Sequence, residues 1–132
     1  MKISATISSK LNQHGATVQT NDVVQHVSIP PKTSGFGSAI NGGELLLLAI
    51  ATCFCNDIYR EAKKRSINIK GVDVIVTGDF GGEGEPGFNF QYEANVSSDA
   101  PAEIVDELIE YTDSIAEIHN TLRRGAAVQL LR

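Results

Sequence analysis

A chain of 132 residues, 42% apolar and 20% charged, has the size and balance of one ordinary globular domain, 1–132, able to bury a core without staples. The formal net charge is −5, and no basic cluster is denser than Lys63-Lys64-Arg65 or Arg123-Arg124, which argues against nucleic acid or an anionic membrane as the main partner. Two cysteines, Cys53 and Cys55, make no secreted disulfide framework, so a reducing cytoplasm is the expected setting.

The N-terminal "KISATISSKL" alternates Ile3, Ala5 and Ile7 with polar neighbours, as a half-buried strand does, and lacks the apolar centre of a signal peptide. "GATVQT" and "VVQHVSIP" follow around the turn pair Asn21-Asp22, and the three segments together predict an antiparallel meander. "PPKTSGFGSAINGG" is rich in Pro, Gly, Ser and Asn and reads as loop. Its glycines match neither a phosphate-binding loop nor a dinucleotide fingerprint.

From Glu44 to about Arg65 good helix formers run without Gly or Pro. The first half of this helix is apolar on every side, and only "NDIYREAKKR" is amphipathic. The longest apolar run, Leu45 to Ala51, falls far short of the ~20 residues that cross a bilayer. A helix apolar all round must be buried all round, so a homodimer covering its remaining side is expected.

Two strands come next, "IKGVDVIVTGDF" with Val72, Val74 and Val76 alternating and "FNFQYEANVS" with Phe88, Phe90, Tyr92 and Ala94. A second helix begins at Asp99-Ala100-Pro101, with Pro near the first turn and acids at Glu103 and Asp106. A short segment, "SIAEIHNTLRRG", precedes a final expected strand, "AAVQLL". The order βββ-α-ββ-α-(α)-β predicts an α+β fold built on antiparallel sheet.

Cys53 and Cys55 lie two apart on a helix and point about 200° away from each other. They can neither form an intrahelical disulfide nor grip one metal together. His14, His26 and His119 show no ligand spacing, so neither a metal nor a cofactor is expected. Cys53 shares its face with Leu46, Ala49, Ile50 and Asp57, and Cys55 shares one with Leu48, Ala51, Thr52 and Tyr59. Both read as small buried hydrophobes unless a cation, a dipole or a hydrogen-bond donor reaches one of them across the fold. His119 reads as a surface or capping residue, and Glu83 and Glu85 as solvated residues of a Gly-rich hairpin tip.

Three pieces taken together carry a resemblance. "GGELLLLAIATC" places Glu44 nine residues before Cys53, "INIKGVDVIVTGDF" follows as a strand, and "EIHNTLRRG" closes the second helical region. The chain resembles, over nearly its whole length, the family of osmotically inducible protein C and the organic hydroperoxide resistance proteins. The resemblance implies an intertwined homodimer around a buried central helix, and thiol-based reduction of organic hydroperoxides with Cys53 as the peroxidatic residue. Cys55 falls outside the matching position.

Two departures alter the implied mechanism. Aligning Asn120-Thr121-Leu122 puts Ala116 where the family has its resolving cysteine and Glu117 where it has proline. No arginine precedes Arg60, so the family's thiolate-stabilising arginine of the N-terminal strands is missing. The glutamate orienting that arginine would fall at Gly43, with Glu44 one residue on. A one-cysteine reductase resolved by an external thiol is then implied, with Lys10, Glu44, Arg123 and Arg124 as candidates to supply charge or support. The alternatives are a relative that binds a small apolar ligand in the dimer cleft without turnover, or a structural or interaction protein.

Overall fold

The computed structural model describes residues 1–132. The chain divides into two compact units, Met1–Leu45 and Leu46–Arg132. The first holds the expected meander, β1 (Ile3–Lys10), β2 (Gln13–Thr20) and β3 (Val23–Val27) in the order β1-β2-β3. β1 pairs antiparallel with β2 from Ile3↔Thr20 to Lys10↔Gln13, and β2 pairs with β3 from Ala16↔Val27 to Thr20↔Val23. The chain reverses at Asn12 (φ 59°) and Asn21 (φ 50°), a left-handed backbone that asparagine tolerates better than other residues with a Cβ.

The Pro/Gly loop ends in a capping box that fixes the start of α1 (Gly42–Lys64). The Glu44 backbone N–H donates to Asn41 Oδ1 at 2.8 Å, and the Asn41 N–H donates to Glu44 Oε1 at 3.0 Å. Two helix-end N–H groups without intrahelical partners are thereby satisfied reciprocally. Asn41→Ala should cost about 1 kcal/mol in urea unfolding, and a variant as stable as the parent would show the box to be incidental.

The second unit packs α1 on a two-stranded antiparallel sheet, β4 (Ile69–Asp79) and β5 (Phe88–Ser98), with α2 (Ala102–Ile115) and the short α3 (Glu117–Arg123). Val72 pairs with Val96, Val74 with Ala94 and Val76 with Tyr92, so the alternation read from the sequence turns one face of the ribbon inward. Phe54, Ile58 and Ala62 form one stripe of α1 and meet Leu108 of α2, with Ile67, Val74, Tyr92 and Ile109 packed around them. Pro101 sits at the N-cap of α2 with the φ its ring requires (−55°) and an extended ψ of 145°.

Of two expectations, the second is corrected. One side of the helix that is apolar all round stays uncovered within one chain, as the homodimer expectation has it: Ile50, Phe54 and Ile58 are covered, but Leu48 is 60% exposed. The stretch 126–131 is no strand, and Val128 is 99% exposed. Its apolar residues suit a sheet, but a strand exists only where a neighbouring edge accepts its backbone groups. No strand of the chain pairs with this segment.

Candidate functional site

The buried stripe of α1 leaves the adjoining positions Cys53, Asp57 and Arg60 facing the start of α3. Ala116, with extended backbone (φ −66°, ψ 114°), separates α2 from α3 and makes Glu117 the first residue of the new helix. The half-buried Cys53 thiol donates to Asp57 Oδ2 at 3.5 Å, with Glu117 Oε2 at 3.9 Å. Asp57 is 4% exposed. One turn on, Arg60 Nη1 reaches Asp57 Oδ1 at 2.9 Å and Glu117 Oε1 at 3.4 Å, while its Nε donates to Glu61 Oε1 at 2.9 Å. Lys64 Nζ also bonds Glu61 Oε1 at 2.9 Å.

The electrostatics follow from this crowding of carboxylates. Burial pushes the Cys53 thiol up; the Ile118 backbone pulls it down, and the Asp57 and Glu117 carboxyls push it further up. Asp57 is itself raised, first by burial and then by the neighbouring Glu117 carboxyl, with Arg60 opposing. Glu117 is held low by its own backbone N–H and by its bonds to Asp57 and Arg60. Of two close carboxyls, the more buried one takes up a proton first as the pH falls. That one is Asp57. The Cys53 thiol, held above its ordinary value, is protonated at neutral pH, with the Asp57 carboxyl in contact to take its proton.

Cys53, Asp57 and Glu117 also bring one ligand atom each to within 4.8 Å of one another, a donor set of the type that holds cations. Arg60 already supplies the compensating charge to both carboxyls, and a metal ion would have to displace it.

Beside this cluster lies a second polar network. Tyr92 OH donates to Asp113 Oδ1 at 2.5 Å, and Arg123 donates through Nη2 to Asp113 Oδ1 at 2.6 Å, through Nη1 to the Asp113 carbonyl at 3.0 Å and to Asn120 Oδ1 at 3.2 Å. Burial tends to raise Asp113, but the Tyr92 and Arg123 hydrogen bonds outweigh it and hold the carboxylate low. His119 packs edge-on against Tyr92, with ring centroids 4.8 Å apart, and tilts against Phe54 at 5.9 Å.

The residues named from the sequence are placed as follows. Cys53 is at the centre of the carboxyl cluster. Glu44 belongs to the capping box of α1, and Lys10 ends β1 in the first unit, opposite Gln13. Arg123 is engaged by Asp113, and Arg124 closes α3 through its backbone N–H to the Asn120 carbonyl at 3.1 Å. Within the second unit, Arg60 is the arginine that contacts the thiol's neighbours. Asp57 was legible only as a face-mate of Cys53; the i, i+4 step to it and the i, i+3 step from Asp57 to Arg60 were the available signals. His119 corrects the surface or capping reading, since it is 5% exposed between Phe54 and Tyr92, which come from α1 and β5.

A search among curated proteins gives no match. Solved structures do match. An OsmC-like protein from Mycoplasma pneumoniae is 20% identical, with 92% of this chain and 86% of that one covered and a TM-score of 0.62. A putative organic hydroperoxide resistance protein from Vibrio cholerae, with captopril bound in one of its active sites, is 24% identical over 98% of this chain and 89% of that one, with a TM-score of 0.60. An organic hydroperoxide resistance protein OsmC from Legionella pneumophila is 18% identical, covering 89% of each chain, with a TM-score of 0.56. At these identities the likeness speaks for the fold, α+β with two antiparallel sheets and three helices. The model of the OsmC-like proteins matches residues 35–130, most of the chain and all of the carboxyl–thiol cluster, and the protein belongs to the OsmC-like family.

Proposed function

We propose that the protein reduces organic hydroperoxides with Cys53 as the nucleophile, as a one-cysteine enzyme of a homodimer in a reducing cytoplasm. The observation that carries this reading is the Cys53 thiol in hydrogen-bond contact with the buried Asp57 carboxyl. A thiol without a cation beside it needs a base to become a nucleophile. Asp57 takes the thiol proton as sulfur attacks the outer peroxide oxygen, forming the S–O bond and breaking O–O. The Asp57–Glu117 pair returns the proton to the departing alkoxide, leaving an alcohol and a Cys53 sulfenic acid. With Ala116 at the position of a resolving cysteine, a low-molecular-weight thiol condenses with the sulfenic acid, releasing water. A second thiol then cleaves the mixed disulfide and restores Cys53. The homodimer reading is supported by the uncovered side of α1 at Leu48 and by the apolar, unpaired 126–131 segment.

The base role separates two quantities that usually move together. Asp57→Asn removes a carboxyl that pushes the thiol up, so Cys53 becomes more acidic and alkylates faster with iodoacetamide at pH 7. Hydroperoxide turnover should nevertheless fall by about 10²-fold, the usual loss on removing a general base. Turnover that rises together with alkylation would show that Asp57 restrains the thiol and does not serve it.

A second reading is favoured by the raised thiol itself. A Cys53 held protonated is compatible with an OsmC-like protein that binds a small apolar molecule without turnover. In that case the protein consumes no hydroperoxide with any thiol reductant, and Cys53→Ser leaves ligand affinity unchanged.

A further inference from the structure

A cavity of about 260 Å³ opens in the second unit between α1, the β4–β5 ribbon and α3. Ile50, Val76, Phe90, Tyr92 and Leu122 give it apolar walls, and His119 lies among them. Cys53 is not among the lining residues. The volume suits about nine atoms of water size, at roughly 30 Å³ each.

His119 gives this cavity its chemistry. It is more than nine-tenths buried, yet neither ring nitrogen has a hydrogen-bond partner. Buried polar atoms are normally satisfied, and an orphan in a cavity wall marks the place where a ligand's polar group belongs. The other polar groups at the wall do not compete. The Tyr92 hydroxyl and the Arg123 guanidinium are both spent on Asp113, which also neutralises the arginine. Gln91 is exposed to water. Burial, and next the Arg123 charge, hold His119 below its ordinary value, so the ring is neutral at pH 7 and offers one donor and one acceptor. A carboxylate finds no free cation here, and a plain hydrocarbon leaves the imidazole unpaired. A hydroxyl both donates and accepts, and so can pair with either ring nitrogen.

We infer that the cavity lined by Ile50, Phe90, Tyr92, Leu122 and His119 binds a small neutral amphiphile, an aliphatic or aromatic body bearing one hydroxyl-type group that hydrogen-bonds His119. The inference stands apart from turnover, because it concerns a cavity whose lining does not include Cys53 and a ligand that is no oxidant. Its test is a titration of the unaltered chain, ¹⁵N-labelled at histidine, with benzyl alcohol, toluene and sodium benzoate, following the His119 ring nitrogens by NMR. Benzyl alcohol should move the His119 ring signals and bind about fivefold tighter than toluene, the gain of one net hydrogen bond, and benzoate should bind more weakly than the alcohol. In His119→Phe, which keeps the aromatic packing on Phe54 and Tyr92, the preference for the alcohol over toluene should vanish. The ring-nitrogen shifts are read on the unaltered protein and decide the matter even where the variant does not fold. Unmoved His119 signals at saturating benzyl alcohol, equal binding of alcohol and toluene, or tighter binding of benzoate would each overturn the inference.

Discussion

Cys53→Ser should abolish the proposed organic hydroperoxide turnover, while Cys55→Ser should stay within about twofold of the parent. The asymmetry follows from where the two sulfurs sit. Cys53 is the thiol that meets Asp57 and Glu117, and Cys55 lies on another face of α1 beside Ala51, Val72 and Val74. A serine at position 53 keeps the hydrogen bond to Asp57 but cannot form a sulfenic acid, so no residual turnover is expected from the site. Consumption of tert-butyl hydroperoxide, run with a monothiol and separately with a dithiol, reads the effect. Loss in Cys55→Ser of the same size as in Cys53→Ser would mean that the helix acts through both sulfurs, against the geometry. The pH dependence carries the same signature. A thiol held above its ordinary value is less ionised at neutral pH, so Cys53 alkylation should be slow at pH 7 and still climbing past about 8.5, where a free cysteine is half ionised.

Phe54→Ala should remove about 4 kcal/mol of stability, a large part of the roughly 5–15 kcal/mol that holds a domain of this size together. Phe54 is fully buried at the centre of the core, against Ile58, Ala62 and Leu108, and its ring lies 4.9 Å from Tyr92 and 5.9 Å from His119. Removing it opens a cavity that the rigid ribbon and α2 cannot close, and it withdraws the wall against which His119 is held. Urea unfolding measures the loss. A cost below about 1 kcal/mol would mean that the second unit is loosely packed around α1, with no well-defined core. Cys55→Ala, by contrast, removes one sulfur from a half-buried position beside Val72 and Val74, outside the fully buried residues, and should change stability little.

Where the fold was legible, local chemistry decided it. Pro101 marks the entry to α2, as its place in the sequence predicts, whereas the Asn41–Glu44 capping box at the start of α1 was not read from the sequence. Alternation gave the inward residues of β4 and β5 because a ribbon with one covered face must alternate. The stretch 126–131 shows the limit of that logic. Its composition fits a strand, but pairing depends on an edge supplied by the rest of the assembly, which composition does not reveal. Leu48 makes the same point from the other side: the sequence required a cover for α1, and one chain does not provide all of it.

The site was legible only up to the reach of a single helix. Cys53, Asp57 and Arg60 share a face by their spacing. Glu117, 64 residues from the thiol, joins them only because Ala116 breaks the chain between α2 and α3. Reading Glu117 as a replaced proline identified what was missing and not what had arrived, a second carboxyl in place of a resolving partner. His119 was misjudged for a related reason. Its immediate neighbours in "EIHNTL" are polar or small, and the aromatic residues that bury it come from α1 and β5.

The measurement that bears most directly on Cys53 as a peroxidatic thiol is the intact mass of the protein after one equivalent of cumene hydroperoxide in the presence of dimedone, without added thiol. The expected result is one dimedone adduct per chain, mapped to Cys53, with no intrachain disulfide, because Ala116 offers no resolving sulfur and Cys55 points elsewhere. An unmodified Cys53 in a folded protein, with the hydroperoxide left intact, would contradict the thiol chemistry and leave an OsmC-like fold used for binding.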